Sequence, residues 1–125
     1  MAAEKIEFWT TGAGVPRAGW RRAVEAERQG YDGIVFVDSQ NLSGDPYVAM
    51  GIAATQTETL CLGTGVTNPF TRHPAVTASA ISSIQAESGG RAVLGIGRGD
   101  SALAHLGYAP AKVPFFEDYL SRLRA

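Results

Sequence analysis

The chain has 125 residues, 45% hydrophobic and 18% charged, with a net charge of −1 at neutral pH. That length allows one domain with an ordinary core, and the balanced charge provides no basic field for nucleic acid. A single cysteine, Cys61, excludes an internal disulfide and fits a reducing, cytoplasmic setting.

The N-terminal MAAEKIEF carries charge where a signal peptide would be apolar. Lys5 to Trp9 is short and rich in strand formers, which predicts a first strand. Thr10 to Val15 is expected as a loop because of its glycines. Pro16 suits a first helical turn, Trp20, Ala23 and Val24 share a helical face, and Gly30 caps the end. Gly33 to Val37 is a continuous apolar run, as expected of a strand covered on both faces. It ends abruptly at Asp38-Ser39-Gln40-Asn41.

Asp45 followed by Pro46 is a cap-and-first-turn signal, and Ala49, Ile52 and Ala53 form an apolar stripe behind it. Leu60 to Val66 predicts the third strand, with Cys61 inside it as a buried, inert thiol. His73-Pro74 opens a third helix to about Ala86, with Val76, Ala80, Ile81 and Ile84 on one side. Gly89-Gly90 ends it. Ala92 to Ile96 predicts the fourth strand. A glycine-rich loop then leads to a last helix from about Pro114, with Phe116, Leu120 and Leu123 inward. Phe8, Trp9 and Phe36 are assigned to the core. No apolar run approaches the roughly 18 residues that a membrane span needs.

The order β-α-β-α-β-α-β-α forces parallel strands with right-handed crossovers. Both an open doubly wound sheet and an eight-fold barrel use this repeat. A complete barrel takes about 250 residues, so this chain holds four of eight units, a half barrel or a truncated chain. In either architecture the loops at the carboxyl ends of the strands build the site. Here they are expected to begin at Thr10, Asp38, Thr64 and Gly97.

Asp38 is a candidate for ligand binding or proton transfer, or else a loop cap. Gly97-x-Gly99-x-x-Ala102 fits a relaxed dinucleotide fingerprint, but it follows the fourth strand and lacks the acidic residue at a later strand end. Gly99-Asp100-Ser101 also fits the nucleophile block of a GDSL-type serine hydrolase, with Ser101 attacking, but no late Asp-x-x-His pair exists. A third option is a backbone cradle whose glycines admit a ring. His73 and His105 lack metal-ligand partners at a suitable spacing, so no metal site is expected. His73 is read as a cap or surface residue, and it and Arg72 lie where a substrate contact is also open.

The stretch LGTGVTNPFTRHPAVTASAISSIQAESGGRAVLGIGRGDSALAHLG, with the earlier GYDGIVFVDS, resembles the luciferase-like monooxygenase superfamily. It is most similar to the deazaflavin-dependent branch of methylenetetrahydromethanopterin reductase type. The resemblance covers nearly the whole chain. It implies a (β/α)8 TIM-barrel enzyme of α/β class, of which residues 1–125 form the first four units of a single domain, incomplete at the C-terminus. It further implies an oxidoreductase, dimeric in the full-length protein, that binds coenzyme F420 or FMN and acts on a small organic substrate by hydride transfer or monooxygenation.

Carried onto this sequence, the resemblance makes Asp38 and Asp100 the catalytic candidates. Ser39 stands where many deazaflavin enzymes have His or Glu. Gly65, Val66 and Thr67 match a bulge backing the ring, with a non-proline cis bond at Gly65-Val66. Gly97, Gly99 and Ser101 match the cofactor loop after the fourth strand. The phosphate side of such a site belongs to later strands. The alternatives are a non-catalytic half barrel that binds partners or itself through open strand edges, and the hydrolase using Ser101.

Overall fold

The computed structural model describes residues 3–124; Met1, Ala2 and Ala125, the ends of the expected 1–125 domain, lie outside the described residues. Its elements are β1 (Trp9–Gly12), α1 (Gly19–Arg28), β2 (Gly33–Phe36), α2 (Pro46–Gln56), β3 (Cys61–Thr64), α3 (Pro74–Glu87), β4 (Ala92–Val93), α4 (Ser101–His105) and α5 (Val113–Arg124). The four strands are parallel and lie side by side in chain order, β1-β2-β3-β4. A doubly wound sheet reverses direction partway across; a barrel does not. The unbroken order selects the barrel progression.

The strands alternate cleanly. Ile34, Phe36 and Leu62 face the helices and are fully buried with Ala23, Ala26, Met50 and Ala53. The opposite face carries a row in register: Thr11, Val35, Gly63 and Val93. Below it, Trp9 lies over Gly33, where a Cβ would meet the indole at 2.5 Å. Above it, a Cβ on Gly65 would meet Val35 Cγ2 at 2.5 Å. The inner face is thus a stack in which bulky residues of one strand fill space left by glycines of the next.

The amino-terminal ends of the strands are tied by charge. Arg91 donates from Nη1 and Nη2 to the carbonyls of Ala54, Thr57 and Leu60, and from Nε to that of Ser88. Glu27 accepts from the backbone amides of Glu58, Thr59 and Leu60. Asp32 holds Phe8 N and Lys5 Nζ, both at 2.8 Å.

Several expectations need correction. The first strand runs over Trp9–Gly12 rather than Lys5 to Trp9, and Ile6 and Phe8 are 75% and 66% exposed, so Phe8 is not core. Parallel pairing to Gly33–Phe36 captured the two threonines that the neighbouring glycines had marked as loop. The first helix starts at Gly19, because Arg17 takes a left-handed φ of 67° that a helix starting at Pro16 cannot contain. The third and fourth strands are shorter than the apolar runs, Cys61–Thr64 and Ala92–Val93, with a single further bridge between Thr67 and Ile96. Cys61 is half-buried. Val76 and Ile52 point outward. Tyr119, not singled out from the sequence, is the buried residue of α5, while Phe116, Leu120 and Leu123 are half-buried.

Two measurements test this packing. Burial opposes ionisation of Glu27, but the three amides of residues 58–60 outweigh it and hold its carboxyl below the ordinary glutamate value. Its stabilising contribution is therefore complete above that ordinary value and disappears as pH falls through the lower folded one. Urea unfolding of Glu27→Gln against pH is expected to show a smaller acid-side loss of stability than wild type; an identical acid limb would reject the assignment. Gly65→Ala is expected to destabilise by about 1–3 kcal/mol through overpacking, and Val35→Ala in the same chain should recover part of that loss, since it removes Cγ2 at 2.5 Å, though Val35 Cβ at 2.6 Å stays.

Candidate active site

Parallel strands that start together also end together, so their carboxyl-end loops converge on one edge of the sheet. Sequence local to each strand end shapes the loops. Gly14 of the first loop packs against the second: it bridges Gly44, where a Cβ would fall against Gly14 O. That contact joins the two loops, and the first loop begins at Ala13, not Thr10.

The third strand leads directly into a cis Gly65-Val66 peptide. Beyond it Thr67 N donates to Gly95 O (2.9 Å) and Gly97 N donates to Thr67 O (3.0 Å), carrying the pairing past the two named strands. Thr64 Oγ1 is bonded to both Gly95 O and Gly95 N, and a Cβ on Gly95 would lie 2.1 Å from Thr64 O. The two backbones are as close as glycine permits. Val66 stands 53% exposed beside Gly95 and Gly97.

The loop after β4 folds back over the strand ends. Arg98 and Ala111 exchange hydrogen bonds, and Leu103 of α4 is fully buried under the turn. Gly99 has φ +87°, a backbone setting that favours glycine. The short helix α4 was not expected; Asp100 is its N-cap residue, exposed, with no capping hydrogen bond from its side chain.

These loops enclose a cavity of about 250 Å³. Asp38, Gly65, Val66, Thr67, Gly99, Asp100 and Ser101 line it, together with Asn68. Of the residues selected from sequence, Gly97, Arg72 and His73 are not in the lining; Arg72 and His73 line a separate cleft. Asn68 is 2% exposed; its Oδ1 accepts from Phe70 N, Thr71 N and Thr71 Oγ1, while its Nδ2 has no partner. A buried donor of that kind is costly while it has no acceptor. The Asn-Pro dipeptide reads in sequence only as a turn, so this donor was missed.

Asp38 is not at an open lip. It is 2% exposed, and its carboxylate is fully engaged. Arg72 Nη1 donates to Oδ2 (2.5 Å), Arg72 Nη2 to Oδ1 (3.2 Å), and Gln40 Nε2 to Oδ1 (2.7 Å). The same guanidinium reaches Asp45 Oδ2 (2.7 Å) and lies 4.7 Å over the ring of Tyr47. Burial opposes the guanidinium charge, but the two carboxylates outweigh it and raise the Arg72 pKa further above its ordinary value. Burial also pushes the Tyr47 phenol up to about 12. The Arg72 carbonyl accepts from Tyr119 Oη (3.0 Å), which leaves Thr77 to donate to that phenol at 2.7 Å.

Ser101 makes no hydrogen bond to a histidine among the described residues, and His73 Nδ1 caps α3 by accepting from Ala75 N. The arrangement a serine hydrolase needs is not assembled. Among the described residues no group of three or more His, Cys, Asp or Glu is placed to hold a metal ion, and no helix is long and apolar enough to cross a membrane.

Known proteins give this geometry a context. The chain is 41% identical over 96 residues to 5,10-methylenetetrahydromethanopterin reductase of Methanopyrus kandleri, covering 73% of this chain and 26% of that protein. It is 48% identical over 77 residues to the same-named protein of Methanolobus tindarius, covering 62% and 23%. It is 34% identical over 118 residues to F420-dependent glucose-6-phosphate dehydrogenase of Intrasporangium calvum, covering 87% and 35%. The chain thus spans 23% to 35% of the length of these relatives. In solved structures, it superposes on coenzyme F420 dependent tetrahydromethanopterin reductase from Methanopyrus kandleri with TM-score 0.75 at 32% identity, over 89% of this chain and 33% of that one. The oxygenating constituent of 3,6-diketocamphane monooxygenase from Pseudomonas putida, in complex with FMN, superposes with TM-score 0.76 at 18% identity, over 96% and 39%, a likeness of fold. The luciferase-like monooxygenase family matches residues 3–125, and this chain, with its sequential parallel strands and the cavity at their carboxyl ends, belongs to that family.

Proposed function

We propose that the chain forms the ring-side half of the active site of a flavin- or deazaflavin-dependent oxidoreductase, with coenzyme F420 preferred to FMN, acting by hydride transfer on a small organic substrate. The single observation that carries this reading is the cavity itself. Residues from the ends of β2, β3 and β4 meet there, with the polar side chains of Asp38, Ser39, Thr67 and Ser101 beside Gly65, Gly99 and Asn68, whose Nδ2 has no partner. A flat heterocycle with carbonyl oxygens has the shape and the acceptors for that space. The relatives named for F420 are 32% and 34% identical; the FMN-bound neighbour is 18% identical.

A bound ring of this class supplies the hydride donor or acceptor. The protein's own part divides between two carboxylates. Asp38, sealed against Arg72 and Gln40, is held in one orientation at the end of β2. Asp100, exposed and without a capping bond, is free to exchange a proton at the cavity mouth. Val66 presents an apolar side chain, and Thr67 and Asn68 present polar groups beside it. Gly97, Gly99 and Ser101 complete the loop after β4. Residues 1–125 are read as one incomplete barrel domain, the full-length protein as a homodimer.

The test is a fluorescence titration of the purified chain with oxidised coenzyme F420 and, separately, FMN. Saturable binding is expected, tighter for coenzyme F420; a folded chain that binds neither overturns the reading. Asn68→Asp keeps an oxygen acceptor for Phe70 and Thr71 and turns the Nδ2 donor into a second acceptor oxygen, which repels a ligand carbonyl. It is expected to weaken binding about tenfold or more, the scale of one buried hydrogen bond lost.

A further inference from the structure

Arg72 touches more of the site's frame than any other side chain, yet it does not line the cavity that holds Asp38 and Asn68; it lines a separate cleft beside Phe115 and Tyr119. Its side chain is 11% exposed, and that of Asp38 is 1%. The guanidinium fork meets both oxygens of the Asp38 carboxylate, which fixes the plane of that carboxylate as well as its position. The Nη1 group also reaches Thr67 Oγ1 (3.3 Å), on the bulge that walls the cavity. The backbone carbonyl of Arg72 is held in turn by Tyr119 of α5.

From this we propose that Arg72 is a positioning residue for the ligand in the cavity. It acts through Asp38 and Thr67, setting the orientation of the carboxylate and the bulge without contacting the ligand. The assignment rests on the functional reading above for the ligand's identity, but the geometry is independent of it. The second ion pair, to Asp45, has a different character. Asp45 is the N-cap of α2, accepting from Tyr47 N and Val48 N through Oδ1, and its side chain is 44% exposed. That arm ties a helix end; the Asp38 arm orients the site.

The charged and titratable groups facing this pair are Asp45 and Tyr47 from α2 and its cap, Tyr119 from α5, and Asp100 across the cavity. The experiment uses wild type, Arg72→Lys, Arg72→Gln, Asp38→Asn, the Arg72→Gln/Asp38→Asn double variant and Asp45→Asn. Circular dichroism first establishes that each is folded. Titration with the coenzyme that wild type binds is expected to show Arg72→Gln weakened about tenfold or more, a scale set by misplacing a site group. Arg72→Lys should recover part of the loss but not all, because an ammonium lacks the fork. Asp45→Asn retains the cap and should bind within about twofold of wild type. The Arg72→Gln and Asp38→Asn effects should be strongly non-additive, as for two groups acting as one.

Additive losses, or unchanged binding by folded Arg72→Gln, overturn the proposal while leaving the functional reading intact. Should wild type bind neither coenzyme, the functional reading fails, and the positioning geometry is read by NMR instead. Slowly exchanging Arg72 guanidinium protons that persist in Asp45→Asn and vanish in Asp38→Asn support it; their absence from wild type overturns it.

Discussion

A carboxylate removed from water needs a counter-charge and hydrogen-bond donors, or it is expelled. Asp38 is buried at the end of β2, and Arg72 meets that need from the loop after β3. The two residues lie on different βα units, so the pair can form only if both units are docked. Much of the upper rim follows from this single contact. The cap of α2 is drawn in through Asp45, the ring of Tyr47 is covered by the guanidinium, and α5 is tied through Tyr119 to the Arg72 carbonyl.

The two ends of the sheet are held by different means, and the difference matches their tasks. At the amino end, Arg91 satisfies carbonyls at the close of α2 and α3, and Glu27 satisfies amides of the turn into β3. Both of these charges meet backbone dipoles. At the carboxyl end, charge meets charge, and among the described residues Asn68 Nδ2, Tyr47 Oη and Gln40 Oε1 are buried without a partner while the Asp100 side chain caps nothing. Stability is secured at one end and chemistry is left available at the other, as expected of parallel barrels.

Glycine use divides along the same line. Gly33, Gly63 and Gly65 make room for Trp9, Val35 and Val93 inside the sheet, and Gly95 lets β3 and β4 continue side by side beyond their regular pairing. Gly14 and Gly44 let two loops touch. Only Gly99 takes a left-handed φ at the cavity wall, with Leu103 of α4 where a side chain would go. A count of glycines near strand ends does not separate these uses.

The sequence by itself determined whatever depends on neighbours along the chain. The caps at Asp45-Pro46 and His73-Pro74, the helix end at Gly30, and the apolar runs of β2 and β3 are local, and each is set by backbone sterics and hydrogen bonding within a few residues. The resemblance carried by the third and fourth units indicated the family and which loops to watch. Tertiary structure decided what depends on contacts distant in sequence. It moved the first strand to Trp9–Gly12, because pairing with Gly33–Phe36 outweighed the loop signal of the glycines. It chose the barrel over the doubly wound sheet, because strand order is a property of the whole sheet. It also converted Asp38 from an apparent lip residue into a buried ion, since its partner Arg72 is 34 positions away, and no local pattern specifies which cation will meet which carboxylate once both leave water.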